Sequence, residues 1–354
     1  MKILKQITYF LLVVLLFISC SDDNGNDTDP PISGAYENGY FVTNEGPFQN
    51  GSGSLTFVDD DGTITQNVYK KVNEEDLGNI AQSMVLTSDR GYIIVNNSHK
   101  VVVVDRYTME KITVIEGNSI NNPRYLAVLD NVGYLSNWGD PTDPSDDFIT
   151  IIDLVTNEIV RTIAVGEGPE NMVITNTKLF VNLEGGYSQN NKVAIIDLNS
   201  NDVDTVLTVG EVPNSSCVDF LGTVWVLCAG NPNWTGNETA GSLYKITGTN
   251  ISHYDFGLED HPEHLTYGDG KLYYNLNGQL FQMNIDATGL PSESLNGFDG
   301  YYYTLKFNDS KLYATDAIDF ASEGILKIFD IVSGNLLNTI TTGIIPGDVD
   351  FQQD

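Results

Sequence analysis

Positive charge is scarce in this sequence. Lys and Arg together number 17 against 48 Asp and Glu, for a formal net charge of −31. A surface of that sign repels phosphate backbones and anionic lipid headgroups, which makes nucleic acid and anionic headgroups poor partners and leaves solubility in a crowded setting as the simple consequence. Cysteine is scarcer still, with three in 354 residues. Cys20 falls in an N-terminal leader, and Cys217 and Cys228 fall on adjacent expected strands. Cross-strand disulfides accept only certain registers, and small unpaired cysteines commonly fill cores, so two free thiols are expected. No long stretch carries a helical period, which argues against a helical protein. No Gly-x-Ser-x-Gly elbow is present, which removes the usual serine-hydrolase signature.

What the chain does carry is a repeat, written most clearly between Phe148 and Asn182. Ile149 to Asp153 alternates as a strand, Val155 to Asn157 turns, and Ile159 to Val165 forms a second strand ending at Gly166. Gly168-Pro169 then breaks the pattern. Glu170 to Ile174 and Leu179 to Asn182 follow as two more strands around the polar turn Thr175 to Thr177. The strand ending in an acidic or polar residue recurs at Asp59, Asp105, Asp153, Asp197, Thr247, Asn284 and Asp330, spaced 37 to 50 residues apart. The hinge keeps the same phase at Pro123, Pro169, Pro213, Pro262 and Pro346, with Ala81 and Tyr302 in the equivalent places. Seven copies at this spacing predict an all-β, seven-bladed β-propeller of four-stranded antiparallel blades. A closed array of this kind makes one domain of a length that otherwise suggests two.

The first copy starts without an innermost strand: Tyr40 to Thr43, Ser54 to Val58 and Ile64 to Val68 supply three. The end of the chain has the complement, since Pro346 to Phe351 is a hinge strand with nothing after it. Pairing Pro346 to Phe351 beside Tyr40 to Thr43 closes the circle and removes two exposed sheet edges. Residues just past each hinge should then ring one mouth of the central channel: Gln82 and Ser83, Arg124 and Tyr125, Glu170 and Asn171, Asn214 and Ser215, Glu263 and His264, Tyr303 and Thr304, Gly347 and Asp348. Loops between the second and third strands open on that same face. Four of them are long and place Phe48, Trp138, Tyr187 and Trp234 among Gly, Asn, Pro and Asp, an arrangement that predicts a binding surface.

Other constellations read more plainly. His261 and His264 have metal-like spacing, but the intervening Pro262 and the expectation that only His264 faces the channel favour polar lining over zinc. Asp140 to Asp147 is acidic enough for calcium yet lacks the spacing and glycine of an EF-hand loop. Asp59 to Gly62 is hairpin-turn chemistry. Glu170, Glu263 and Asp348 around one mouth would suit Ca²⁺ or an acid and base pair, as in lactone-hydrolysing propellers. Three Trp do not supply the docking repeats of quinone-cofactor propellers.

The leader reads as an address. Lys2 and Lys5 precede the apolar run Phe10 to Ile18, and Phe17-Ile18-Ser19-Cys20 resembles a bacterial lipoprotein signal, which implies cleavage after residue 19 and lipidation of Cys20. Residues 20–35 then form a disordered acidic tether and residues 36–354 the propeller. Acidic residues after the lipidated cysteine resemble the surface-export signal of Bacteroidetes lipoproteins, which implies an outer-membrane anchor at the cell surface, with the periplasmic face as the alternative. The mature chain carries 15 basic against 48 acidic residues, a formal charge of −33.

The Asp-Leu-(x)-Thr/Ser-Asn segments, the strand Thr162 to Gly166 and Gly168-Pro169 resemble the YncE-like seven-bladed propellers over Tyr40 to Phe351. Joined to the lipoprotein start, the chain is similar to the Bacteroidetes propeller lipoproteins that sit over TonB-dependent transporters and capture cobalamin. The resemblance implies a non-catalytic surface protein that binds a nutrient, cobalamin being favoured, and hands it to such a transporter. Two alternatives stand beside it: a lactonase-like hydrolase using Glu170, Glu263 and Asp348 around a divalent ion, and a protein-binding scaffold or adhesin.

Overall fold

The computed structural model describes residues 34–48, 51–140 and 142–352, and one compact unit begins at Gly34. The leader, Cys20 and nearly all of the tether lie outside the described residues. Seven antiparallel sheets follow one another, as the spacing predicts. Blade 1 pairs Pro346–Phe351 with Gly39–Asn44, in the register Tyr40 to Phe351, Val42 to Val349 and Thr43 to Asp348. Blades 2 to 7 begin with the inner strands Ala81–Leu86, Pro123–Leu129, Pro169–Thr175, Pro213–Val218, Glu263–Gly268 and Thr304–Asn308. Each inner strand touches the inner strands of its two neighbours, and the seven contacts close a ring.

The repeated acid at the end of each third strand has a local job. Asp153 Oδ1 accepts from the backbone N–H groups of Val155 and Thr156 at 2.8 and 3.1 Å, and Asp197 Oδ1 does the same for Asn199 and Ser200. These carboxylates cap the tight turn into the fourth strand. The turn needs a left-handed residue at its end, which explains Asn157 and Asn201 with φ of 58°.

Packing follows from strand period. In Lys100–Asp105, Val102 and Val104 point towards blade 1 while Val101 and Val103 point towards blade 3. Both faces of the blade are buried, so the strand reads as an unbroken apolar run. Seven hydrophobic clusters result, one between each pair of neighbouring blades. Cys217 and Cys228 are free; register sets Cys217 opposite Trp225 and Cys228 opposite Pro213, which keeps the thiols apart.

Two details depart from expectation. The strand expected over Ile64 to Val68 is only Ile64–Thr65, and Val68–Asn73 forms a short helix that buries Val68 and Tyr69 against blade 1. Asn67 in the left-handed region breaks the strand before it can extend. In blade 6 three strands pair, and in place of a fourth Leu295 N–H donates to Leu280 O at 2.7 Å.

Candidate functional site

The site is built by a backbone device repeated around the ring. The residue before the inner strand is left-handed in five blades: Ile80, Asn122, Gly168, Val212 and Ile345, with φ between 47° and 71°. Its carbonyl thereby turns outward and accepts from the first residue after the second strand, namely Asn96, Trp138, Glu184, Ala229 and Glu45. At Gly168 the requirement is also steric, because an added Cβ would collide with the backbone of Gly185. Immediately after the hinge the ladder skips residues: the register shifts between Ala81 and Ser83, Pro123 and Leu126, Pro169 and Met172, Pro213 and Ser215, and Glu263 and Thr266. A bulge suspends the alternation of a strand and re-aims side chains. Adjacent residues such as Arg124 and Tyr125 can therefore both face the axis.

Their convergence makes a funnel of about 430 Å³. Gln82, Arg124, Tyr125, Asn171, Asn214, Glu263, His264, Tyr303 and Asp348 line it, as the sequence predicts. Glu170 stands behind the wall, 5% exposed, where Oε1 accepts from Arg124 Nε at 2.8 Å. The sequence did not single out three further members, Glu45, Glu184 and Lys306. Glu45 and Glu184 occupy equivalent places, each the residue whose N–H answers the hinge, so the repeat grammar carries the signal that finds them.

Many of the lining groups tie blades together. Arg124 also donates to Gln82 Oε1, and its guanidinium lies 4.4 Å from the Trp138 ring centroid. Asn171 Oδ1 accepts from Ser216 Oγ at 2.7 Å, and Asn214 Nδ2 donates to Pro262 O at 2.9 Å. Lys306 Nζ pairs with Asp348 Oδ1 at 2.9 Å, and the Tyr303 hydroxyl donates to Glu45 Oε1 at 2.8 Å. The Arg124 fork is thus committed within the wall.

Burial raises the pKa of Glu170 although Arg124 opposes it, and it raises that of Glu45 against the Tyr303 hydrogen bond. Burial, with Glu170 and Glu263 nearby, pushes Glu184 up to about 8. Burial lowers His264. Burial pulls Arg124 down, but Glu170 and its other acidic neighbours more than offset this and hold it above its ordinary value.

The four loop aromatics separate. Phe48, Tyr187 and Trp234 stand outside the funnel, 67%, 77% and 79% exposed. Trp138 differs from these three, being half-buried over Arg124 with Tyr187 at 6.4 Å edge-on. Two aromatics the sequence reading missed join this face: Tyr301, above Gly278 in the second-to-third strand hairpin of blade 6, and Phe320, against Tyr303 at 5.8 Å. His261 takes Ala229 O at 2.9 Å and does not line the funnel. Among the described residues no group of three or more His, Cys, Asp or Glu is placed to hold a metal ion.

A family model described as a domain of unknown function (DUF5074) matches residues 38–260. The chain is similar in structure to a functionally unknown protein from Desulfotomaculum acetoxidans, at TM-score 0.63 and 13% identity over 89% of this chain and 98% of that one. It is similar to hydrazine synthase of Kuenenia stuttgartiensis at TM-score 0.60 and 16% identity, over 90% and 100%. It is similar to apo AztD from Citrobacter koseri at TM-score 0.54 and 11% identity, over 88% and 96%. At these identities the likeness is one of fold. No curated protein sequence matches the chain.

Proposed function

The chain belongs to the DUF5074 family of domains of unknown function, and we propose that this member is a non-catalytic binding protein that captures a small ligand in the funnel at the propeller axis. One observation carries the reading. Six of the seven inner strands break their ladder at the same level, and the side chains so released meet in one cavity. Repeated departures from regular backbone cost stability, and concentrating them around one opening is how a fold makes room for a guest.

Cobalamin capture and transfer to a TonB-dependent transporter are the finer form of this proposal, and they rest on the family resemblance. The funnel is too small for a corrin macrocycle. The macrocycle would instead lie on the rim, against Phe48, Tyr187 and Trp234, with its amide N–H groups towards the funnel carboxylates. Calorimetry with cyanocobalamin on the wild type and on the Tyr187→Ala/Trp234→Ala variant tests it. Binding that weakens by about tenfold in the variant supports the assignment; no heat at micromolar protein removes cobalamin. Anchoring through lipidated Cys20 belongs to the same proposal. Incorporation of labelled palmitate that Cys20→Ala abolishes is the expected result.

The geometry weighs against the calcium-dependent hydrolase. Of its three carboxylates, Glu170 is engaged by Arg124 and Asp348 by Lys306, so a divalent ion would have to displace two cations. A scaffold or adhesin would use the exposed rim alone and leave the funnel carboxylates without a role.

A further inference from the structure

Charge in the funnel does not balance. Both cations are spent, Arg124 on Glu170 and Lys306 on Asp348. Glu45 has the Tyr303 hydroxyl. Two carboxylates remain. Among the described residues the partly buried Glu184 has neither a hydrogen-bond nor an ion-pair partner for its carboxylate, and Glu263, its side chain 55% exposed at the mouth, has His264 at 3.7 Å. Burial holds that imidazole below its usual pKa, hence neutral at neutral pH, so it offers Glu263 no charge. Glu170 and Glu263 stand close enough to Glu184 to raise the energy of its ionised form. The neighbouring walls are aromatic, formed by Tyr125 and Tyr303, whose hydroxyls burial keeps neutral.

A cavity with unbalanced carboxylates on one side and electron-rich rings on another is complementary to one kind of group. We propose that the funnel takes an organic cation, a protonated amine on a small apolar body, seated between Glu184 and Glu263 with its apolar part against Tyr125 and Tyr303. The partly buried Glu184 gains more from a cation than it would in bulk water, the exposed Glu263 adds charge at the mouth, and tyrosine faces add attraction to the same cation. The inference rests on the capture reading but not on cobalamin. It also explains why a funnel built from seven strands keeps its fixed cations out of reach: each is tied back by a wall carboxylate, which leaves the guest to supply the missing charge.

The test uses three probes of similar size that differ in charge: benzylamine, benzyl alcohol and benzoate, titrated calorimetrically into the folded mature chain at low ionic strength. Benzylamine is expected to bind about tenfold or more tightly than benzyl alcohol, with benzoate silent. Because the cation favours ionised Glu184, its heat should depend on the buffer as a proton is released. The isosteric variant Glu184→Gln/Glu263→Gln, checked for an unchanged fold by circular dichroism, should lose about tenfold in benzylamine affinity and no longer distinguish it from benzyl alcohol. Equal affinities for amine and alcohol, or amine binding untouched by the double variant, overturns the cation assignment and leaves capture standing. So does binding of cyanocobalamin or another uncharged solute that Asn214→Ala or Tyr303→Ala weakens while benzylamine stays silent. If no probe binds, cyanocobalamin included, both the cation and the capture readings fall.

Discussion

Arg124 touches three blades at once, through Gln82, Glu170 and Trp138. Its side chain is 18% exposed and that of Glu170 is 6% exposed, so neither charge has bulk water to fall back on. Glu170→Gln should therefore destabilise the fold by about 3–5 kcal/mol, the usual cost of leaving one buried charge alone; urea unfolding measures it, and a loss below about 1 kcal/mol would show that the pair is not a strut. The acid groups set a pH profile with a definite sign. Glu184 at about 8 and Asp147 at about 7 are both raised chiefly by burial. The folded state holds protons that the unfolded chain releases in the usual carboxylate range, so stability falls as pH rises from there to about 8. Asp197 runs the other way. Lys178, helped by the backbone N–H groups of Asn199 and Ser200, holds it at about 2, and its contribution is present above the unfolded carboxylate pKa and lost as pH falls towards that value. Melting temperature is thus expected to peak in mildly acidic solution, and Glu184→Gln with Asp147→Asn should flatten the decline on the alkaline side while changing little near pH 5.

Among elements, the hinge joins sequence to site. Val212 and Ile345 are β-branched and left-handed, a conformation that costs such residues of order 1–2 kcal/mol. Asn122 fills the same place with a residue that tolerates it. Val212→Asn is accordingly expected to leave stability unchanged or raise it by up to about 1 kcal/mol in a denaturant melt; a loss of more than that would mean that Val212 is held by packing and not by backbone demand. This is also where reading the sequence succeeded and where it stopped. Pro123, Pro169, Pro213 and Pro346 marked the hinges, and the strand-ending aspartates marked the period, because each has a local backbone role that fixes its residue type. The funnel ring followed from that phase. Which members stay free did not follow, since Arg124 and Asn171 are committed by contacts across blade boundaries, and a single strand's pattern carries no record of its neighbour. The half-burial of Trp138 is hidden for a different reason: Arg124 lies on the inner strand of the same blade, and only the bulge after Pro123 brings its guanidinium under the Trp138 ring. The helix Val68–Asn73 was invisible because six residues are too few to show a period.

For the whole molecule, stability depends on the joint in blade 1. Removing Pro346–Phe351 would bare one edge of Gly39–Asn44 and strip Val349 from the cluster that Tyr40, Val42 and Tyr313 share. An unpaired strand edge recruits other chains. A chain truncated after Ile345 should elute as oligomers in size-exclusion chromatography and lose the single sharp melt of the intact protein; a monomer with an unchanged melt would show that the ring holds without its clasp. The same joint governs the order of events at birth. A ribosome delivers Gly39–Asn44 roughly 300 residues before its partner Pro346–Phe351, and sheets that wait for such distant pairings form slowly. Nascent blade 1 must spend nearly the whole of synthesis unfinished, so any premature commitment of its three early strands is provisional until the final segment emerges and locks them.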